Sequence, residues 1–250
     1  MLQSNGRPER LLLVGSWGSG KTTAYMTIAK MLDLTGSPAQ MFVVDPDYKA
    51  HLDPNAGLPN IHIYDDLEHW TDYKSSIRKC RSSAEKGRGD WLVVDMFDRV
   101  WSAAQAGYVE MTFGQDVDEF YVAWRKEDTK GGNPFNADWG KDWQAINRLY
   151  DDFVFNVTRF PGNILMTTSP EPVRDDEKDK EIIRLYGRWG IKPAGQKRLG
   201  HLAADCLLLT QSKDGWSFSQ MRGTGREDFR NEPLRDFVQD YLIKRASWSL

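Results

Sequence analysis

The chain has 250 residues, of which 40% are hydrophobic and 28% charged, and a formal net charge of −3. That length suits one α/β domain with insertions, and the charge excludes a global polycation, so any nucleic-acid contact must be local. No run of about 18 apolar residues is present for a membrane span, the start MLQSNGRPER lacks a signal-peptide core, and Cys80 and Cys206 lie too far apart for zinc spacing, so a reducing, cytoplasmic setting is expected.

RLLLVG (10–15) reads as a buried strand, and GSWGSGKTT (15–23) follows it directly. Gly15, four residues, Gly20, Lys21 and Thr22 is the P-loop signature. Across Gly15, Ser16, Trp17, Gly18, Ser19 and Gly20 the backbone can curl so that successive N–H groups face one anion. A helix opening at Lys21 adds its positive end to the same point. Lys21 can reach the β- and γ-phosphates, the Thr22 hydroxyl can ligate Mg²⁺, and Thr23 completes the loop. Trp17 is compatible with covering a nucleotide, meeting a neighbouring subunit or simply packing.

The first helix is predicted over 21–34, with Ala24, Ile28, Met31 and Leu32 inward. MFVVD (41–45) is a second buried strand and IHIY (61–64) a short one. Asp66 can cap a helix whose stripe is Leu67, Trp70, Tyr73, Ile77, Cys80 and Ala84. WLVVD (91–95) is a third buried strand. An aromatic-rich helical insertion spans about 101–136. Trp139, Trp143, Ile146, Tyr150, Phe153 and Val157 form the stripe of a further helix. NILMTT (163–168) is a fourth strand, followed by the acidic connector EPVRDDEKDKE. CLLLT and WSFSQMRG read as a strand pair across SKDG, and Pro233 as the start of a last helix.

Short apolar strands alternating with helices predict a parallel sheet covered on both faces, with ligands at the carboxyl ends of the strands. The P-loop, Asp45, Asp95 and Thr168 all fall at such ends. Asp95, closing four apolar residues, is the Walker B pattern, a carboxylate that holds Mg²⁺ across from Thr22. Asp98 either assists or caps the next helix. Asp45 and Asp47 are candidates to orient the attacking water, with an Asp-Pro turn as the plain alternative. Thr167 and Thr168 are placed to sense a γ-phosphate. Glu171 reads as part of a solvated loop, and the four histidines show no ligand spacing.

The stretch RLYGRWGIKPAGQKRLG (184–200) has no acid. Arg188, Lys192, Lys197 and Arg198, with Tyr186 and Trp189 among them, suit phosphate contact and base stacking, or else a solvated loop. Arg222 and Arg226 are candidates to reach a neighbour's γ-phosphate, against surface pairing with Glu227 or Asp228.

On GSWGSGKTT, WLVVD, the DWQAINRLY helix, NILMTT, GQKRLGHLAADCLLLT and MRGTGRED, the chain resembles the small bacteriophage P-loop ATPases of RecA-like fold. This group includes the Sak-type recombination-associated ATPases and related phage nucleotide-binding proteins. The resemblance implies an α/β P-loop NTPase in one domain, 1–250. Its RecA-like, mainly parallel sheet would be flanked by helices and closed by a C-terminal strand pair and helix. It implies use of ATP and Mg²⁺, assembly into a homo-oligomeric ring or filament, and action on single-stranded DNA in recombination or replication. A single-strand-binding or annealing protein would be a partner, and the host cytoplasm the setting. It supports Lys21, Thr22 and Asp95 as nucleotide and magnesium residues. It makes Lys197, Arg198, Arg222 and Arg226 candidates for subunit or DNA contact. Asp45 or Asp47 stands where such ATPases carry a glutamate. The competing readings are a packaging or translocation ATPase, a small-molecule kinase, and a nucleotide-dependent switch with little turnover.

Overall fold

In the computed structural model, which describes residues 2–4, 7–127, 141–223 and 229–249, the apolar runs read from the sequence are buried strands. In chain order the elements are β1 (Gln3–Ser4), β2 (Arg10–Gly15), α1 (Lys21–Leu34), β3 (Met41–Val44), β4 (Ile61–Tyr64), α2 (Trp70–Ser83) and β5 (Trp91–Val94). Then come α3 (Phe97–Phe113), α4 (Val117–Glu127), α5 (Lys141–Thr158), β6 (Asn163–Thr168), β7 (Pro170–Pro172), α6 (Lys180–Tyr186) and β8 (Ile191–Pro193). The chain closes with β9 (Asp205–Ser212), β10 (Gly215–Arg222), β11 (Glu232–Pro233) and β12 (Trp248–Ser249).

The main sheet runs β11-β10-β9-β2-β6-β5-β3-β4. From β9 to β4 every neighbour is parallel, while β10 and β11 are antiparallel. Because side chains alternate across a strand, β2 feeds two cores. Leu11 and Leu13 meet Tyr25, Ile28 and Leu32 of α1, together with Phe237 and Tyr241. Leu12 and Val14 face the side held by Trp70 and Ile77 of α2, Phe97 of α3 and Phe153 of α5. Each such fully buried chain contributes roughly 1.5–3 kcal/mol. The registers Val44↔Val94 and Val94↔Met166 level the strand ends, so the residues after β2, β3, β5 and β6 open on one edge. This is the α/β class expected of a RecA-like P-loop protein: mainly parallel, helix-flanked, with a C-terminal strand pair.

Local chemistry moves several expected boundaries. Helix α2 starts at Trp70, because the Asp72 carboxylate accepts from the His69 N–H at 2.7 Å; His69, not Asp66, is the cap. Pro233 does not open a helix. It lies in β11 opposite Ser217, on the sheet edge, where a missing N–H costs no ladder bond. The last helix begins later and is wide-turned over Val238–Ile243, with the Lys244 N–H bonded to the Gln239 carbonyl. The acidic connector and the basic stretch are not loops throughout. β7 and β8 pair antiparallel, setting Glu171 opposite Lys192, and Asp179 caps α6 through the N–H groups of Glu181 and Ile182. The stretch expected as an insertion, about 101–136, holds α4 and most of α3, which begins earlier at Phe97 in the core; its remaining residues from 128, and Trp139, lie outside the described residues.

Candidate functional site

The P-loop leaves β2 at Gly15 and curls tightly. A side chain on Gly15 would collide with Ser19 and crowd the Leu209 carbonyl. Gly18 and Gly20 take the left-handed backbone (φ 73° and 91°) that favours glycine. The Ser19 hydroxyl is buried with no hydrogen-bond partner in the described structure. The Lys21 ammonium donates to the carbonyls of Gly15 (2.5 Å) and Ser16 (3.0 Å), and burial pushes its pKa down.

Asp95, one residue past β5, is 1% exposed and gathers hydroxyls. Thr22 donates to its Oδ2 at 3.2 Å and Tyr25 to the same oxygen at 3.0 Å. Thr167 donates to Oδ1. Burial and the Asp95 charge drive the Tyr25 phenol far above its ordinary pKa, so it stays a donor. It is Thr167 whose hydroxyl reaches Asp95. Thr168, on the opposite face of β6, donates to the Ala194 carbonyl at 3.0 Å.

A cavity of about 310 Å³ opens over this cluster, walled by the P-loop, Lys49, Leu52, Asp95 and Trp216. Trp17 is 87% exposed, with the Lys49 ammonium 5.6 Å from its ring. Trp216, at the start of β10, donates its indole N–H to the Gly18 carbonyl at 3.0 Å.

Asp45 is fully buried, and burial lifts its pKa to about 6 against the opposing pull of two backbone donors. Those donors are Ala50 N–H at 2.6 Å and Asp47 N–H at 3.1 Å. Asp45 therefore organises the turn after β3, and the Asp-Pro turn reading describes its geometry. Asp47 pairs with Lys49 at 2.8 Å and Arg99 at 3.2 Å. Asp98 keeps one buried carboxylate oxygen without a hydrogen-bond partner among the described residues.

The basic stretch divides. Lys192 pairs with Glu171 at 3.5 Å, and Lys197 and Arg198 are exposed. Arg188 stacks on Trp189 at 5.1 Å, with Arg230 at 5.0 Å from the same ring. Tyr186 is buried against Gly200. The two rings thought to stack bases are thus engaged within the fold. Arg222 turns inward and donates to the Gly200 carbonyl. Arg226 lies outside the described residues.

Three site residues escaped the sequence reading. Tyr25 had a usable signal, since it lies one helical turn after Thr22 and so shares its face. Lys49 and Trp216 had none, because loop path and hairpin register bring them to the P-loop.

No protein-family model and no curated protein matches the chain. Among solved structures it is similar to one described as the crystal structure of the RadB recombinase, at 15% identity and a TM-score of 0.45. The match covers 88% of this chain and 84% of that one. A similarity at that level assigns neither family nor activity.

Proposed function

We propose that the chain is a magnesium-dependent, RecA-like ATPase, phage-encoded, that couples ATP to single-stranded DNA in recombination or replication. The observation that carries this reading is the meeting of Thr22 and Asp95, 3.2 Å apart, at the mouth of a P-loop. The Ser19 hydroxyl, buried without a partner inside the loop, fits a phosphate cradle. A hydroxyl facing a carboxylate is the all-oxygen donor set that suits Mg²⁺, with Thr22 and Asp95 as the residues that would hold it. When bound, the ion would neutralise charge on the phosphate oxygens.

The chain's own residues do the remainder. The P-loop N–H groups and the α1 N-terminus hold the phosphates. Lys21, whose carbonyl partners lie in the loop itself, can swing onto the β- and γ-oxygens. Its burial strengthens that contact, since low local dielectric raises charge–charge energy. Thr167 and Tyr25 fix the Asp95 carboxylate. Asp45 or Asp47 would orient the attacking water. Lys197 and Arg198 would meet DNA phosphates, Arg188, Lys192 and Arg222 are further candidates for DNA or subunit contact, and Arg226 would act on a neighbour in a homo-oligomer. A nucleotide switch with little turnover is the second reading, favoured by Asp45, both of whose carboxylate oxygens are taken by backbone donors.

The test is ATP turnover at fixed salt with and without single-stranded DNA, with Lys21→Ala as control. DNA-stimulated turnover that disappears in Lys21→Ala is the expected result. Turnover indifferent to DNA removes the coupling, and binding without turnover selects the switch.

A further inference from the structure

A cleft of about 610 Å³, separate from the P-loop cavity, lies between α3, α5 and the segments around β7 and β8. Its apolar wall is built by Trp101 of α3 and Trp143 of α5, whose rings stack with centroids 6.2 Å apart at 12°. Tyr150 braces Trp101 edge-on at 5.2 Å. The segment after β7 brings Arg174 and Lys178 to the lining, β8 brings Lys192, and the loop after β8 brings Lys197. Arg174, Lys178 and Lys197 have no ion-pair partner among the described residues, and Lys178 and Lys197 are exposed.

The cleft does not stop there. A second cavity of about 450 Å³ runs on along α5 to Arg148 and Arg198. The two share Asn147, Gln196 and Lys197, and the Gln196 amide donates to Asn147 at 3.4 Å at the junction. The two adjoining cavities form a groove with an indole wall at one end and cations along it, with the Gln196–Asn147 pair between them. Acids are present too: Asp176, Glu177 and Asp151 line it, and Glu171 is held by Lys192. The groove is also tied to the nucleotide end. Gly195, on its wall, backs so closely on Asp98 that a side chain there would sit 3.2 Å from the Asp98 Cα.

We propose that this groove seats single-stranded nucleic acid, with one base against the Trp101–Trp143 pair and the following phosphates on Lys178, Lys197 and Arg198. An aromatic wall suits a base because every base has a π-face. Spaced, unpaired cations suit a backbone. Continuation beyond Lys197 suits a polymer better than a mononucleotide, which the first cavity alone would hold. The proposal rests on the nucleic-acid reading above, but moves base stacking from the 184–200 stretch to the face of α3 and α5.

The experiment is fluorescence anisotropy of a labelled oligo-dT with the full chain, across a salt series, with and without Mg-ATP. Binding of a fluorescent ATP analogue is measured in parallel. Trp143→Ala should weaken strand binding by about tenfold or more. Lys178→Ala combined with Lys197→Ala should flatten the log–log salt slope by about 1.4, at roughly 0.7 for each phosphate no longer neutralised. Both variants should bind the ATP analogue as wild type does. The lysine pair is exposed, so it tests the groove without risk to folding. Wild-type strand affinity and slope in both variants overturn the proposal. So does competition by dTMP as effective as by the oligomer, which would make the groove an acceptor-nucleotide pocket. A wild-type chain that binds the strand through these residues but does not bind the ATP analogue would instead overturn the nucleotide-site reading alone.

Discussion

Strand β5 is bracketed by two aspartates that are equally buried and differently held. Asp90, at its amino end, is 0% exposed; Asp95, just past its carboxyl end, is 1% exposed. Asp90 is saturated by fixed donors. The Arg88 guanidinium grips it with two bonds of 2.6 Å, and the N–H groups of Gln40 and Glu85 donate at 2.8 and 2.9 Å. Asp95 has no ion-pair partner among the described residues; hydroxyls of Thr22, Tyr25 and Thr167 surround it. A forked cation and backbone amides lock a carboxylate in one state. Hydroxyls rotate, both donate and accept, and can share the carboxylate with an incoming cation. Burial alone does not distinguish a structural aspartate from a functional one. The kind of donor does.

The sharpest way to break this contrast is to neutralise each in turn. Asp90→Asn removes the buried, two-pronged partner of Arg88 and leaves the guanidinium only the exposed Glu85 carboxylate, 2.6 Å away. Arg88 is 17% exposed, so the loss of stability should fall near the lower end of the roughly 3–5 kcal/mol seen for broken buried pairs. Turnover per folded molecule should be unchanged. Asp95→Asn should do the reverse, cutting turnover at least about a hundredfold, or roughly 2.7 kcal/mol of barrier, while denaturant unfolding moves little. If both variants lose stability and activity in parallel, the distinction fails.

The contrast also explains what could be read in advance. GSWGSGKTT and WLVVD are contiguous, so their chemistry is written in local order, and the apolar runs that carry them are long enough to declare buried strands. Asp90 sits in KGRGD, which reads as a loop; nothing local says that Arg88 will fold back two residues or that Gln40 will arrive from the neighbouring strand. The groove is less legible still. Trp101 and Trp143 belong to separate helices, and Lys178 and Lys197 flank a β7–β8 ribbon whose strands are too short to announce themselves. Pro233 misled because a proline suits an edge strand as well as a helix start, and sheet position is a tertiary fact.

A third buried aspartate extends the comparison. Asp45 has amide donors, as Asp90 does, but no ion-pair partner among the described residues, and its pKa rises to about 6. A carboxyl group whose folded pKa lies above its unfolded value near 3.8 binds its proton more tightly when folded. Its contribution to stability is therefore fully present below about pH 4, and is lost as pH rises from there through about 6. Stability measured from pH 4 to 7 should show this fall, and Asp45→Asn should remove it. An identical pH profile in the variant would mean that Asp45 titrates normally.

The smallest effect comes from the donors themselves. Tyr25→Phe removes one hydroxyl from Asp95 and leaves Thr22 and Thr167 in place. The ring stays packed, so the cost should be about 1.5 kcal/mol, the lower end for a hydrogen bond to a charged group. Turnover should fall only a few-fold, because Thr22 still faces the carboxylate. Arg88→Lys is the matching change at the other end of β5. A lysine offers one point charge where arginine gives a two-pronged grip, so stability should fall by a similar amount with turnover untouched. The two variants thus match in the denaturant midpoint and separate only in the ATPase assay. If Tyr25→Phe loses stability but no activity at all, its hydroxyl serves Asp95 as Arg88 serves Asp90, as an anchor, and positioning of the functional carboxylate falls to Thr22 and Thr167 alone.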